Sequence, residues 1–295
     1  MLVIVALAFC SLLGPSTRAE AVLYGADGAQ GNPSSLRILN PATGGLVSTV
    51  GAIGFAVTGL AVHPVTGVLY GSTARQDANA PGNLITIDKT TGLGTVIGSF
   101  GVANHTMADL TFGPDGTLYG WAEPEADALH AIDVATGQAT RVGQSSVGAN
   151  TFGSGIAANA DGIFLAGRGG DGPFHRVNRT TGASTPVSFL DWIHDAGIGA
   201  LSFAPDGVLF GVGLPPVVGS LSILITINPV TGHVTEIGQT VPFLDAIAFD
   251  PPTFPPEPVP ATAVPTLSEV AFVVMALLLT AVALSRMRRR GVRAS

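Results

Sequence analysis

Three groups of residues carry the side chains able to bind or react. Asp191-Trp192-Ile193-His194-Asp195 sets two carboxylates and an imidazole around an indole, groups that coordinate a divalent cation or hold a sugar ring stacked on Trp192. The default for such a segment is a solvated loop whose Trp packs on its neighbour. Glu123, Glu125 and Asp127 alternate as calcium-binding carboxylates do, but they lack the glycine and terminal Glu of an EF-hand loop and read as an acidic loop. Asp109 and Asp245, with His105 just ahead of the first, are the residues that would hold a metal if a central channel brought them together. The sequence has no Gly-x-Ser-x-Gly elbow, His-Glu-x-x-His, P-loop or dinucleotide fingerprint. No cofactor is predicted, and Ca²⁺ is the ion these loops would suit.

Internal repetition defines the elements that position these residues. Leu23-Tyr24-Gly25 recurs as Leu69-Tyr70-Gly71, Leu118-Tyr119-Gly120, Phe164-Leu165-Ala166-Gly167 and Leu209-Phe210-Gly211; the central positions 24, 70, 119, 165 and 210 are spaced 46, 49, 46 and 45 residues apart. A turn marker keeps the same beat, as Asn40-Pro-Ala-Thr-Gly44, Asp88-Lys-Thr-Thr-Gly92, Asp133-Val-Ala-Thr-Gly137, Asn178-Arg-Thr-Thr-Gly182 and Asn228-Pro-Val-Thr-Gly232. A third series begins at Gly59, Asp109, Gly155, Ala200 and Ala246, each followed by an apolar stretch. His63, before Pro64 at the end of the first of these, takes a turn role.

Alternating apolar runs such as Leu84-Ile85-Thr86-Ile87, broken by turn formers, give four short strands per unit. Four-stranded units of ~45 residues repeated around a ring are β-propeller blades. The first unit begins at its second strand, Val22 to Gly25, and lacks an inner strand; a lone inner-type strand, Asp245 to Asp250, follows the fifth unit. If that strand completes the first blade, the ring closes with no exposed sheet edge. The sequence therefore predicts an all-β, five-bladed propeller over 22–250. Its units are similar to those of the NHL and YVTN propellers and lack the Trp-Asp signature of the WD40 class. A lactonase-type propeller would place Glu, Asn and Asp on a channel metal, which makes a metal-dependent hydrolase the competing reading to a non-catalytic binding propeller.

The body is acidic and sparsely charged. Residues 22–265 hold seven basic side chains against eighteen acidic ones, and charged residues are 11% of the whole chain. Such a surface repels phosphate backbones, so nucleic acid is excluded as a partner, and a polysaccharide or another surface protein is the expected class.

Both ends read as export signals. An apolar run over residues 2–13 with Ala19-Glu20-Ala21 behind it predicts a signal peptide over 1–21, whose removal takes away Cys10, the one cysteine. A proline-rich linker at 251–263 stiffens the chain after the ring. Val264-Pro265-Thr266-Leu267-Ser268-Glu269 follows, then an uncharged stretch at 270–285, then Arg286, Arg288, Arg289 and Arg290. At ~1.5 Å rise per residue that stretch reaches ~24 Å as a helix against a ~30 Å hydrocarbon core, a gap that snorkelling arginines or local thinning close. The arginines on its C-terminal side orient it with the C-terminus in the cytoplasm and the propeller outside. This order over 264–295 resembles the IPTL-CTERM tail of bacterial exported proteins, a relative of the PEP-CTERM signals recognised by exosortase-type membrane transpeptidases. The resemblance implies transient anchoring in the inner membrane, then cleavage near the motif and delivery to the cell surface or matrix.

Overall fold

The computed structural model describes residues 21–250 apart from 29–30, 124–126, 144, 146, 148–153, 168–172, 193–196 and 215–219. The predicted signal peptide, linker and C-terminal signal lie outside the described residues.

Five four-stranded antiparallel sheets surround one axis. In chain order the strands are β1 (Val22–Asp27), β2 (Ser35–Leu39) and β3 (Leu46–Ala52), which form most of blade 1; β4 (Val57–Val62), β5 (Leu69–Thr73), β6 (Asn83–Ile87) and β7 (Gly94–Ser99), blade 2; and β8 (Thr106–Phe112), β9 (Leu118–Glu123), β10 (Ala128–Ile132) and β11 (Ala139–Arg141), blade 3. Blade 4 is β12 (Gly155–Asn159), β13 (Gly162–Ala166), β14 (Pro173–Val177) and β15 (Ser184–Phe189), and blade 5 is β16 (Ile198–Phe203), β17 (Leu209–Gly213), β18 (Leu221–Ile227) and β19 (Val234–Pro242). The last strand, β20 (Leu244–Asp250), returns to blade 1 and pairs antiparallel with β1, Val22 opposite Asp250 and Tyr24 opposite Ala248. The predicted closure is therefore present, and β20 is the innermost strand of the first blade.

One repeat assignment changes. Strand pairing sets Phe164 opposite Arg176 as Tyr70 is opposite Thr86, so Phe164, not Leu165, is the counterpart of the central aromatic. Leu165 takes the place that Gly71 holds in blade 2: it pairs with His175 where Gly71 pairs with Ile85.

The turn marker folds as expected. In Asp88 to Gly92 the carboxylate accepts the N–H groups of Thr90 (2.7 Å) and Thr91 (2.8 Å), the Asp88 carbonyl accepts from Gly92 (2.8 Å), and Gly92 closes the turn at φ +83°. Asn40, Asp133, Asn178 and Asn228 also accept an amide two residues on. His63 plays the same part with its ring, Nδ1 accepting from Val65 N at 3.1 Å.

These turns also join the blades. A Cβ on Gly51 of β3 would overlap the Thr91 carbonyl of the next blade, and the same holds for Gly98 against Thr136, Gly143 against Thr181 and Gly238 against Thr43. Each of these four Thr-Gly turns is thus seated on a glycine in or beside the outer strand of the preceding blade. At the seam between blades 4 and 5, Ser188 replaces that glycine and lies against Gly232, and Asp191 crosses the seam to His233 Nδ1 and Val234 N, both at 2.6 Å. Between the sheets, a central aromatic meets the inner-strand Phe of the next blade: Tyr70 on Phe112 at 5.7 Å, Phe164 on Phe203 at 5.7 Å and Phe210 on Phe249 at 5.0 Å.

Gly98→Ala pushes a methyl into the Thr136 carbonyl and should lower stability by about 1–3 kcal/mol. Thermal unfolding should show a clear fall in Tm for this variant and a much smaller change for Ser188→Gly. Equal Tm values for Gly98→Ala and wild type would show that the seam tolerates the added atom.

Candidate functional site

The inner strands bring the first residues of the third repeat series to one level of the axis: Gly59, Asp109, Gly155, Ala200 and Ala246. Four are glycine or alanine, and Asp109 fills the space they leave. Its side chain is fully buried; Oδ1 accepts from Leu110 N at 2.9 Å, and Oδ2 accepts from Ile156 N and Leu201 N, both at 3.0 Å. One carboxyl thereby ties together the inner strands of blades 3, 4 and 5. Neighbouring side chains follow suit, Thr111 Oγ1 accepting from Ala158 N at 3.0 Å and Ser202 Oγ from Phe249 N at 3.3 Å. Burial pushes the Asp109 carboxyl well above the usual range, its three N–H donors pull it back in part, and the charge of Asp245 adds to the rise.

Asp245 keeps part of its surface open where β20 begins, on the side of the longer loops, and Gly199 leaves room for its Oδ1. Burial raises its carboxyl to about 7. On the other side of Asp109 the axis holds a cavity of about 40 Å³, lined by Leu60, Thr111, Leu201 and Ser202 among others, enough for one or two waters. Among the described residues, no three His, Cys, Asp or Glu side chains gather as a metal-holding group.

The predicted loop candidates separate. Asp191 is the seam residue just described, its carboxyl held below the usual range chiefly by the His233 hydrogen bond. Trp192 is buried against Gly213 of blade 5, so the indole packs on the neighbouring element. His194, Asp195 and Glu125 lie outside the described residues. Glu123 and Asp127 are both buried at the end of β9 and just before β10.

His105 belongs to a different place, a cleft of about 740 Å³ on the longer-loop face between blades 2 and 3. Its walls are the β5–β6 loop, with Arg75 and Gln76, and the end of β7 with the loop that follows it, from Ser99 to Asn104 and His105. Asp77 braces the first loop, taking Ala56 N on Oδ2 at 2.6 Å and Asn79 N and Ala80 N on Oδ1 at 2.9 and 2.8 Å. Arg75 N donates to Thr106 Oγ1 at 3.2 Å, which ties the walls together, and Asn104 stands at φ +63°. The His105 ring is held by Nδ1 on Ala103 O at 2.5 Å, and Nε2 is buried without a hydrogen bond. Sequence reasoning read His105 beside Asp109 and did not join it to the β5–β6 loop; the signal was Arg75 itself, a rare cation on an acidic body.

Residues 28–201 match the repeat of unknown function DUF6923, more than half of the chain. The chain belongs to this family. The DUF6923 propeller is followed by an IPTL-CTERM motif at residues 262–289, in agreement with the resemblance seen in the sequence. No curated protein matches the chain significantly. Among solved structures it is similar to a protein of unknown function from Bacteroides thetaiotaomicron, at 14% identity and a TM-score of 0.53 over 78% of this chain and 64% of that one. A protein of unknown function from Bacteroides caccae (11% identity, TM-score 0.44, 78% of this chain and 98% of that one) and a PQQ-bound aldose sugar dehydrogenase from Streptomyces coelicolor (18%, 0.41, 69% and 66%) superpose more loosely. These likenesses concern the fold alone.

Removing the Asp109 carboxyl strands three buried N–H groups, so Asp109→Ala should cost about 3–5 kcal/mol in denaturant unfolding, and Asp109→Asn, which keeps one acceptor oxygen, clearly less. The raised Asp245 carboxyl stabilises the fold below the ordinary value of 3.8, and that contribution is lost as pH rises to about 7. Wild-type stability measured against Asp245→Asn should therefore fall across that window and level off above it. A flat difference would show that Asp245 titrates normally.

Proposed function

We propose that this DUF6923 propeller is an exported, surface-sorted protein that acts as a non-catalytic binding or extracellular-matrix component. The observation that carries the reading is an IPTL-CTERM motif standing behind a closed five-bladed ring. In this reading residues 1–21 are the export signal and 251–263 the stalk. Residues 270–285 form the membrane helix, with the arginines 286–290 in the cytoplasm. An exosortase-type transpeptidase acts near Pro265 to Glu269. The non-catalytic part draws support from Asp109, whose carboxyl is occupied by three backbone amides.

The C-terminus of the protein recovered from its native cell surface tests the sorting step. Mass spectrometry should find the arginine cluster removed, and an intact Arg293 on the surface form would overturn processing. Metal analysis of the purified full chain tests the other half, because stoichiometric Ca²⁺ or Zn²⁺ lost in Asp245→Ala would favour a metal-dependent hydrolase.

A further inference from the structure

We infer that the cleft between blades 2 and 3 binds a carboxylate on a hydroxylated ligand, with Arg75 as its anion-binding residue. The inference names the ligand class for the binding role proposed above and rests on that reading. Arg75 is exposed on the cleft wall, and its guanidinium makes a single long hydrogen bond, Nη1 to Asn104 O at 3.4 Å. Among the described residues no carboxylate pairs with it, although acidic side chains outnumber basic ones eighteen to seven over residues 22–265. Among the described residues no acidic side chain lines the cleft. A guanidinium paired with no carboxylate, in a cleft whose described lining holds none, gives an anion a local site that the acidic body otherwise lacks.

The chemistry favours a carboxylate over a phosphate. A single planar fork matches one carboxylate of charge −1 in bidentate geometry, and among the described residues that line the cleft there is no lysine to balance a doubly charged phosphate. Gln76, Ser99 and Asn104 line the same cleft with neutral groups suited to hydroxyls. The volume of about 740 Å³ lies within the range of small-molecule sites. The walls are also prepared: Asp77 fixes the Arg75 loop, the Arg75 backbone is bonded to Thr106, and Asn104 stands in the left-handed conformation at φ +63°.

Binding to the full chain is measured by titration calorimetry at fixed ionic strength with trigalacturonate, uncharged maltotriose and inorganic phosphate. Trigalacturonate should bind, maltotriose should not, and phosphate should bind more weakly than the uronate. Arg75→Gln should weaken trigalacturonate binding by at least about tenfold without changing Tm, and Arg75→Lys should fall between. Arg176→Gln removes the same charge from blade 4 and should bind as wild type does. The inference is overturned by no uronate binding, by phosphate binding as well as the uronate, by Arg75→Gln binding as wild type does, or by an equal loss in Arg176→Gln. Failure here alongside a processed C-terminus would remove the ligand class and leave the sorting reading standing.

Discussion

Five sheets that converge on one axis leave five inner edges whose amides have no further strand to bond, and satisfying those amides is the constraint on which this ring depends. A single carboxyl, Asp109, meets it for three inner strands at once. It can do so only because the other blades place Gly59, Gly155, Ala200 and Ala246 at that level; a Cβ on Gly59 would stand 2.6 Å from the Asp109 Cα. The small residues and the acid are thus one device distributed over five repeats. An apolar side chain in place of the acid would fill the axis but leave the amides without acceptors.

Much of this was legible in the sequence. The period, the blade count and the closing strand follow from three markers that recur together, and the turn marker recurs because it joins the blades: four of the five Thr-Gly turns sit on a glycine in or beside the outer strand of the preceding blade. The column Gly59, Asp109, Gly155, Ala200, Ala246 was visible as well, but nothing in a linear string says that these residues share one level of an axis. Asp109 therefore read as a channel metal ligand when it is a backbone acceptor. Leu165 was misassigned for a related reason, since blade 4 lacks the glycine that marks the place in its neighbours and only strand pairing restores the register. The cleft could not be seen in the string, because its two walls, the β5–β6 loop and the stretch from Ser99 to His105, are separated by β6 and most of β7 and only the fold brings them together.

The acidic residues divide into those that hold the fold and those left for solvent. Asp88 and Asp133 have their carboxyls held below the usual range by turn amides, Asp77 braces a loop and Asp191 a seam. Much of the negative charge thus serves local geometry, which is why an acidic composition did not translate into an acidic binding site. The exposed cation at Arg75 stands out against that background.

Val22 and Asp250 are direct partners at one end of the β1–β20 ladder, and Asp250 also reaches Lys89 Nζ at 2.6 Å. A pull transmitted along the chain past Asp250 meets this end of the ladder first. The Lys89 contact and the Val22 pair are therefore the first interactions such a pull loads. The residue that ends the ring's closing strand is thus also where load from the following chain enters it, shared at once between blade 1 through Val22 and blade 2 through Lys89.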